Sequence, residues 1–306
     1  SDTLMLADQT PFAKDHAFGY STAFLPAWVE ERSGGRWRAS DVATLDLGLI
    51  RAGGPDAVAE RLQQASGGQP IVVNAASYGD LAVVALGVLW AEAAGKRFIY
   101  RTAADFVRLR SGLPRRPLLT AAEIIGDTSA TGGLVVVGSY VPGSSAQLER
   151  LLALPGIAAV ELPVARLLHD NAEMISRTVG EEIEAALQHG QTVVLYTSRA
   201  LATGATAAES LQIGRLVSQS LIGALGQIST RPRFIIAKGG ITSHDVAQRA
   251  LGAQQARALG QLLPGVPVWR LEQGPNLRFP DVPYVVFPGN VGGPESLAEA
   301  VRILSG

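Results

Sequence analysis

Two short glycine-rich segments hold the residue types that bind anions. The first is Lys238-Gly239-Gly240-Ile241-Thr242-Ser243, which follows the apolar run Phe234 to Ala237 and precedes an amphipathic stretch. A buried strand that ends there, two glycines that let the backbone turn, and Thr242 or Ser243 as a helix cap would aim successive N–H groups outward with the positive end of the helix dipole. Without Cβ atoms at 239 and 240, an anion can approach that backbone closely. Lys238 would add a positive charge, and the two hydroxyls two donors. The spacing is not that of a Walker A loop, and an ordinary capped turn reads the same way. The second segment is Pro288-Gly289-Asn290-Val291-Gly292-Gly293, again after an apolar strand, Tyr284 to Phe287, and before a helix. Ligands of open α/β sheets sit at the carboxyl ends of strands, so two such loops can face one crevice.

Weaker candidates accompany them. Gly138-Ser139 ends the run Leu134 to Val137, where a hydroxyl meets a ligand or caps a helix. Pro264 and Gly265 belong to a stiff loop that walls an adenine pocket or simply crosses over. Asn74, Ser77, Asp80 and Arg101 lie near strand ends in the first third of the chain. Arg101 suits a substrate carboxylate through bidentate pairing, or else ties its own loop to Asp80 or Asp105. His16, His169, His189 and His244 show no metal-ligand spacing. The turn at Gly138 lacks G-x-G-x-x-G, which disfavours a Rossmann dehydrogenase.

The elements that must position these residues alternate between short apolar runs and amphipathic stretches. Strands are expected at Val42 to Leu45, Pro70 to Asn74 and Arg97 to Tyr100, with helices at Gly54 to Ala65 and Tyr78 to Gly95. This β-α-β-α-β order implies parallel pairing. Leu113 to Gly133, with Pro114, Arg115, Arg116 and Pro117, reads as a linker with solvated charge. A second α/β unit has strands at Leu134 to Val137, Ala158 to Leu162, Thr192 to Tyr196, Arg233 to Ala237 and Tyr284 to Phe287. Its helices cover Ser145 to Leu154, Asn171 to Gln188, Ala207 to Leu225, a stretch ending at Leu251, and Glu295 to Leu304. A Gly/Pro-rich segment without strands lies between Leu251 and Tyr284. The expected fold is therefore α/β with two parallel-sheet domains, 1–120 and 134–306. The first 40 residues show little periodicity and read as a segment that wraps against another part of the protein.

Composition agrees. Of 306 residues, 47% are hydrophobic and 17% charged, with 34 Gly. That suits buried strands joined by glycine turns. The 26 basic and 27 acidic residues are mixed along the chain, so no nucleic-acid face accumulates. There are no cysteines, and no apolar run approaches the roughly 20 residues a bilayer span needs. A cytoplasmic protein with no membrane partner is expected, and a homo-oligomer is left open.

Several motifs in order carry a resemblance. Ala237 to Ser243, Gly260-Gln261, Pro264-Gly265-Val266-Pro267 and Phe287 to Gly293 resemble the nucleotide-binding domain of the four-carbon acid sugar kinase family. Val73-Asn74-Ala75-Ala76, Gly95-Lys96-Arg97-Phe98 and Tyr100-Arg101-Thr102-Ala103 look like the later part of that family's substrate domain. The family phosphorylates threonate, erythronate or 3-oxo-tetronate with ATP and Mg²⁺. The resemblance implies ATP contacts at Ser139, at Gly239 to Thr242 and at Gly289 to Gly292. The acceptor acid would lie near Asn74 and Arg101. The family's opening Asp-Asp-Leu-Thr-Gly-Ala motif and its Asp-Ser-Thr-Leu-Arg-Gly-like stretch do not occur here. The expectation is a fragment or a shortened relative with an incomplete first domain, a complete nucleotide site and no assignable catalytic base. A non-catalytic nucleotide- or sugar-phosphate-binding module stays open as the alternative.

Overall fold

The structure, a computed structural model, describes residues 4–14, 19–126, 131–138, 142–200, 202, 204, 206–272 and 276–306. The chain forms two compact units, Ser1–Arg115 and Arg116–Gly306.

The first unit contains α1 (Leu25–Arg32), β1 (Ala43–Leu45), α2 (Gly54–Gln64), β2 (Ile71–Val73), α3 (Tyr78–Ala93) and α4 (Ala104–Arg110). The two strands pair in parallel, Ala43 opposite Ile71 and Leu45 opposite Val73. Ser77 caps α3 by accepting from the Asp80 N–H at 3.1 Å. Helices α2 and α3 pack closely because Gly87 presents no side chain: a Cβ there would lie 2.5 Å from Val58. Leu45, Ile50, Val58, Leu62, Val84 and Val88 form the core.

The third strand expected at Arg97 to Tyr100 does not form; residues 96–100 carry no ladder. Phe98 packs against the core, and the rings of Phe98, Tyr100 and Phe106 contact one another at 6.2 and 5.5 Å. Alternating apolar residues report which side chains are buried, not whether the backbone finds a partner.

The second unit contains α5 (Ala121–Ile124), β3 (Leu134–Val137), α6 (Pro142–Leu152), β4 (Ile157–Leu162), α7 (Val164–Leu167), α8 (Ala172–Gln188) and β5 (Thr192–Thr197). It continues with α9 (Ala207–Gln227), β6 (Ile235–Lys238), α10 (Gly240–Asp245), a π-helical turn at Val246–Ala250, β7 (Ala256–Leu263), β8 (Val266–Leu271), β9 (Pro283–Phe287) and α11 (Ser296–Ser305). The sheet order is β4-β5-β3-β6-β9-β8-β7. The first five strands run parallel, while β8 is antiparallel to both β9 and β7. Both faces are covered, which explains why β3 reads as an unbroken apolar run: Leu134 and Val136 enter one core and Val135 and Val137 the other.

Two expectations change here. The stretch between Leu251 and Tyr284 holds a hairpin, β7–β8, turned by Pro264-Gly265 with Gly265 at φ 77°. Its strands were hidden by a mostly solvent-facing β7 and by Pro267 inside β8. The β8–β9 ladder runs only from Val268 to Arg270, and Pro267 faces β7 beside a register irregularity, so its missing N–H costs little. The arginines at 115 and 116 are also not simply solvated. Arg115 lies over Tyr78 in the first unit, whereas Arg116 donates to the Leu259 carbonyl in the second. From there the chain runs beside β7, where the Leu119 N–H donates to Gln261 at 2.8 Å and the side chain is buried. This covers part of an edge strand.

Candidate functional site

The parallel ladder places three loops at one level. Val137 is opposite Lys238, and Lys238 is opposite Phe287, so β3, β6 and β9 end together at Gly138, Gly239 and Pro288. The connection leaving β3 leads toward β4 and β5, and the one leaving β6 leads toward β9 on the other side. The β3/β6 boundary is thus a topological switch point, where open α/β sheets have their ligand crevice.

At the end of β6, Gly239 takes φ 105°, a conformation for glycine, and donates its N–H to Phe287 O at 2.8 Å. It serves as the N-cap of α10 with no side-chain cap bond. The expected capping by Thr242 or Ser243 is therefore corrected: both lie inside the helix. Ser243 is buried, its hydroxyl donating to Ala237 O at 2.8 Å and its carbonyl accepting from the Tyr284 hydroxyl at 2.6 Å. Because Gly239 does the capping, the N–H groups of Gly240, Ile241 and Thr242 form the open first turn. Ile241 is 80% exposed. A Cβ at Gly240 would meet nothing within 4 Å, whereas one at Gly138 would lie 2.4 Å from the Thr242 hydroxyl. Gly138 is required by packing; Gly240 leaves open space in front of the helix.

At the end of β9 the same distinction recurs. Gly292 has φ 83°, and a Cβ there would lie 2.5 Å from Ser296. Gly289 and Gly293 face open space. Asn290 is exposed.

Lys238 departs from its expected role. It is the last residue of β6, its side chain is 0% exposed, and Nζ donates to Pro288 O at 2.7 Å and Gly289 O at 3.4 Å. The Phe287 ring lies 4.4 Å from Nζ. Burial pulls its pKa down to about 8. The ammonium thus supports the β9 loop from below instead of standing in the crevice.

The Pro264-Gly265 turn reaches the same edge. A Cβ on Gly265 would lie 3.4 Å from Val291, and the Gly265 N–H is held by the Gln261 side chain at 2.8 Å. Ser139 lies outside the described residues, as does His16.

Two participants went unnoticed in the sequence. Gln147 of α6 is buried and donates Nε2 to Val291 O, Gly292 O and Gly293 O at 3.0, 3.2 and 3.0 Å. A signal existed, because Gln147 interrupts the buried stripe Ser144, Leu148 and Leu151. Arg199 follows β5 and donates to the Ser145 hydroxyl at 2.7 Å. Desolvation lowers its pKa.

In the first unit, Asn74 and Arg101 are both exposed. The Asn74 N–H continues the parallel ladder to Leu45 O at 2.9 Å. Arg101 does not pair with Asp80, which is occupied by Arg51 through two bonds of 2.9 and 3.0 Å. That guanidinium holds the Asp80 carboxyl well below the usual range. Arg101 instead lies over the Trp28 ring at 4.7 Å and, with Arg32 and Tyr20, lines a cavity of about 580 Å³ that does not include Asn74.

Among the described residues no group of three or more His, Asp or Glu side chains is placed to hold a metal ion. No described helix is long and apolar enough to cross a membrane.

Comparison with known proteins agrees with this division. Residues 134–297 match the nucleotide-binding C-terminal domain family, and residues 3–110 match the sugar-binding N-terminal domain. No curated protein matches the sequence. A Salmonella typhimurium LT2 crystal structure, provisionally named a tRNA synthase, is 16% identical with a TM-score of 0.61 over 96% of this chain and 66% of its own. A Bordetella bronchiseptica domain of unknown function, crystallised with citrate as a domain-swapped dimer, is 20% identical with a TM-score of 0.45 over 97% of this chain and 65% of its own. The chain therefore spans just under two thirds of the length of those two structures. With more than half of its residues in the matched segment 134–297, behind a segment that matches the sugar-binding domain, the chain belongs to the nucleotide-binding C-terminal domain family.

Proposed function

We propose that the chain comes from an ATP-dependent kinase that phosphorylates a small four-carbon acid sugar of the threonate, erythronate or 3-oxo-tetronate type. The observation that carries this reading is the meeting of two open glycine loops at the adjoining parallel ends of β6 and β9. Gly240, Gly289 and Gly293 all leave open space there. A Cβ at those positions would fill the cradle a phosphate needs.

In this reading the N–H groups of Gly240, Ile241 and Thr242 bind one part of the nucleotide's phosphates, and the loop from Gly289 to Gly293 binds another. Ser139 adds a hydroxyl, and Pro264-Gly265 walls the site beside Val291. Mg²⁺ is held through the phosphates, as it commonly is in kinases. Phosphoryl transfer depends mainly on positioning and on neutralising developing charge, for which fixed backbone donors are suited. The acceptor's carboxylate is assigned to Arg101, whose guanidinium lies over the Trp28 ring and lines a cavity with Arg32. Asn74 is a second acceptor contact. No residue of this chain is assigned as the catalytic base.

Calorimetric titration with a non-hydrolysable ATP analogue, with and without Mg²⁺, tests the nucleotide half. Mg²⁺-assisted saturation is the expected result, and no heat of binding at any Mg²⁺ concentration rejects it. Turnover with D-threonate or D-erythronate then separates a kinase from a nucleotide-binding module, which would saturate without transferring phosphate.

A further inference from the structure

Five carbonyls of the β9 loop are turned toward buried donors. Those of Pro288 and Gly289 face Lys238 Nζ, and those of Val291, Gly292 and Gly293 face Gln147 Nε2. In a planar trans peptide the C=O of one residue and the N–H of the next point in opposite directions. The N–H groups of Gly289, Asn290, Gly292 and Gly293 must therefore point away from Lys238 and Gln147. None of the four has an acceptor among the described residues, while Val291 N–H closes the turn on Pro288 O at 3.5 Å.

The orientation of Gln147 is decided by the same contacts. Turning its amide over would set Oε1 against three carbonyl oxygens, so Nε2 must face them. This leaves Oε1 buried with no partner among the described residues, an arrangement that costs stability and serves only the loop. Lys238 is also placed at a cost. It has no ion-pair partner among the described residues. Against it lie the Phe287 ring and two carbonyls from β9 and the apolar Val137 from β3. The nearest titratable groups along its own connection are His244 and Asp245, and Asp245 is engaged by Ser218 and Arg249.

We propose that Lys238 and Gln147 are positioning residues, a two-point clasp that fixes the β9 loop with its carbonyls inward and its amides outward as an anion cradle. This deepens the nucleotide reading and rests on it for the identity of the anion. Neither residue is required to touch the ligand.

The test uses the whole chain and two readouts. Limited proteolysis followed by mass spectrometry reports the loop itself, and titration with the ATP analogue plus Mg²⁺ reports the cradle. Lys238→Met and Gln147→Met should speed cleavage within 288–293 while leaving 240–243 as in the wild type. Each should weaken binding by about tenfold or more, as for loss of a buried donor to a charged or multiply bonded group. Gln147→Met keeps the volume and removes the donor without burying a charge, so a purely packing role would leave binding near the wild-type value. Wild-type affinity should also fall between pH 7 and pH 9.5, as the Lys238 ammonium loses its proton, and this fall should be absent in Lys238→Met. Unchanged cleavage and affinity in Gln147→Met, or a pH profile shared by wild type and Lys238→Met, would overturn the clasp. If the loop responds but the wild type binds no nucleotide, the clasp stands and the nucleotide assignment falls.

Discussion

The loop after β6 and the loop after β9 lie side by side and are built by different means. In the first, the helix start is held largely by its own segment, Ser243 N–H returning to Gly239 O and the Ser243 hydroxyl to Ala237 O, while Gly239 N–H on Phe287 O and the Tyr284 hydroxyl on Ser243 O tie it to β9. In the second, the carbonyls are held by Lys238, 50 residues away, and by Gln147, about 145 residues away. A helix start carries its own dipole and its own unpaired N–H groups, so it needs only a glycine to turn on. A loop without a helix dipole has to be oriented by donors from elsewhere, and those donors must be buried. The comparison teaches that equally glycine-rich segments can differ in what makes them cradles.

The largest effect expected is on binding at the first loop. Gly240→Val should weaken the ATP analogue about a hundredfold or more by filling the approach to the helix start, since about 2.7 kcal/mol of lost contact gives that factor. Because Gly240 has open space around it, the unfolding free energy should change by no more than about 0.5 kcal/mol. Normal affinity in this variant would remove the first loop from the site.

An intermediate effect separates structural glycines from ligand-facing ones. Gly239→Ala forces an alanine to φ 105° and should cost about 1–3 kcal/mol in urea unfolding. Gly289→Ala, in open space, should cost far less. Equal losses at the two positions would erase the distinction drawn between them.

A further comparison sharpens the second loop and concerns stability against pH. The native Lys238 pKa is about 8 against 10.5 for an ordinary lysine. Between those values the unfolded chain holds more protons than the native one, so stability rises with pH across that window. Thermal or urea unfolding of wild type relative to Lys238→Met should show this gain between about pH 8 and 10.5. Nucleotide affinity is expected to fall over the lower part of the same window. A stability difference that stays flat across the window would mean Lys238 is charged and uncharged at equal cost.

Much of the second unit's parallel sheet was legible because its strands are buried on both faces and read as apolar runs, Leu134 to Val137 being the clearest. The strand at Arg97 to Tyr100 misled because Phe98 is half-buried by packing and by ring contact with an exposed Tyr100, and not by a ladder. The β7–β8 hairpin was missed because Arg257, Gly260 and Gln261 on an edge strand, and Pro267 in the next, weaken the period-2 signal. Among candidate site residues, the glycines at 239, 240, 289 and 293 were visible from their position after strands. Lys238 was visible by type but its direction was not, since alternation at the last residue of β6 decides whether it rises into the crevice or turns beneath it.

Chain-local physics is what the sequence by itself determined: apolar runs that must be buried, glycines where strands give way to turns, and a helix start after Gly239. These follow from sterics and hydrophobic periodicity within about ten residues. Tertiary structure alone decided that β3, β6 and β9 are neighbours whose ends align, that Gly138 packs on Thr242, and that Gln147 and Lys238 turn the β9 loop's carbonyls inward. Such contacts join residues 50 to about 145 positions apart, and only the strand order and register bring their few polar atoms within hydrogen-bond reach.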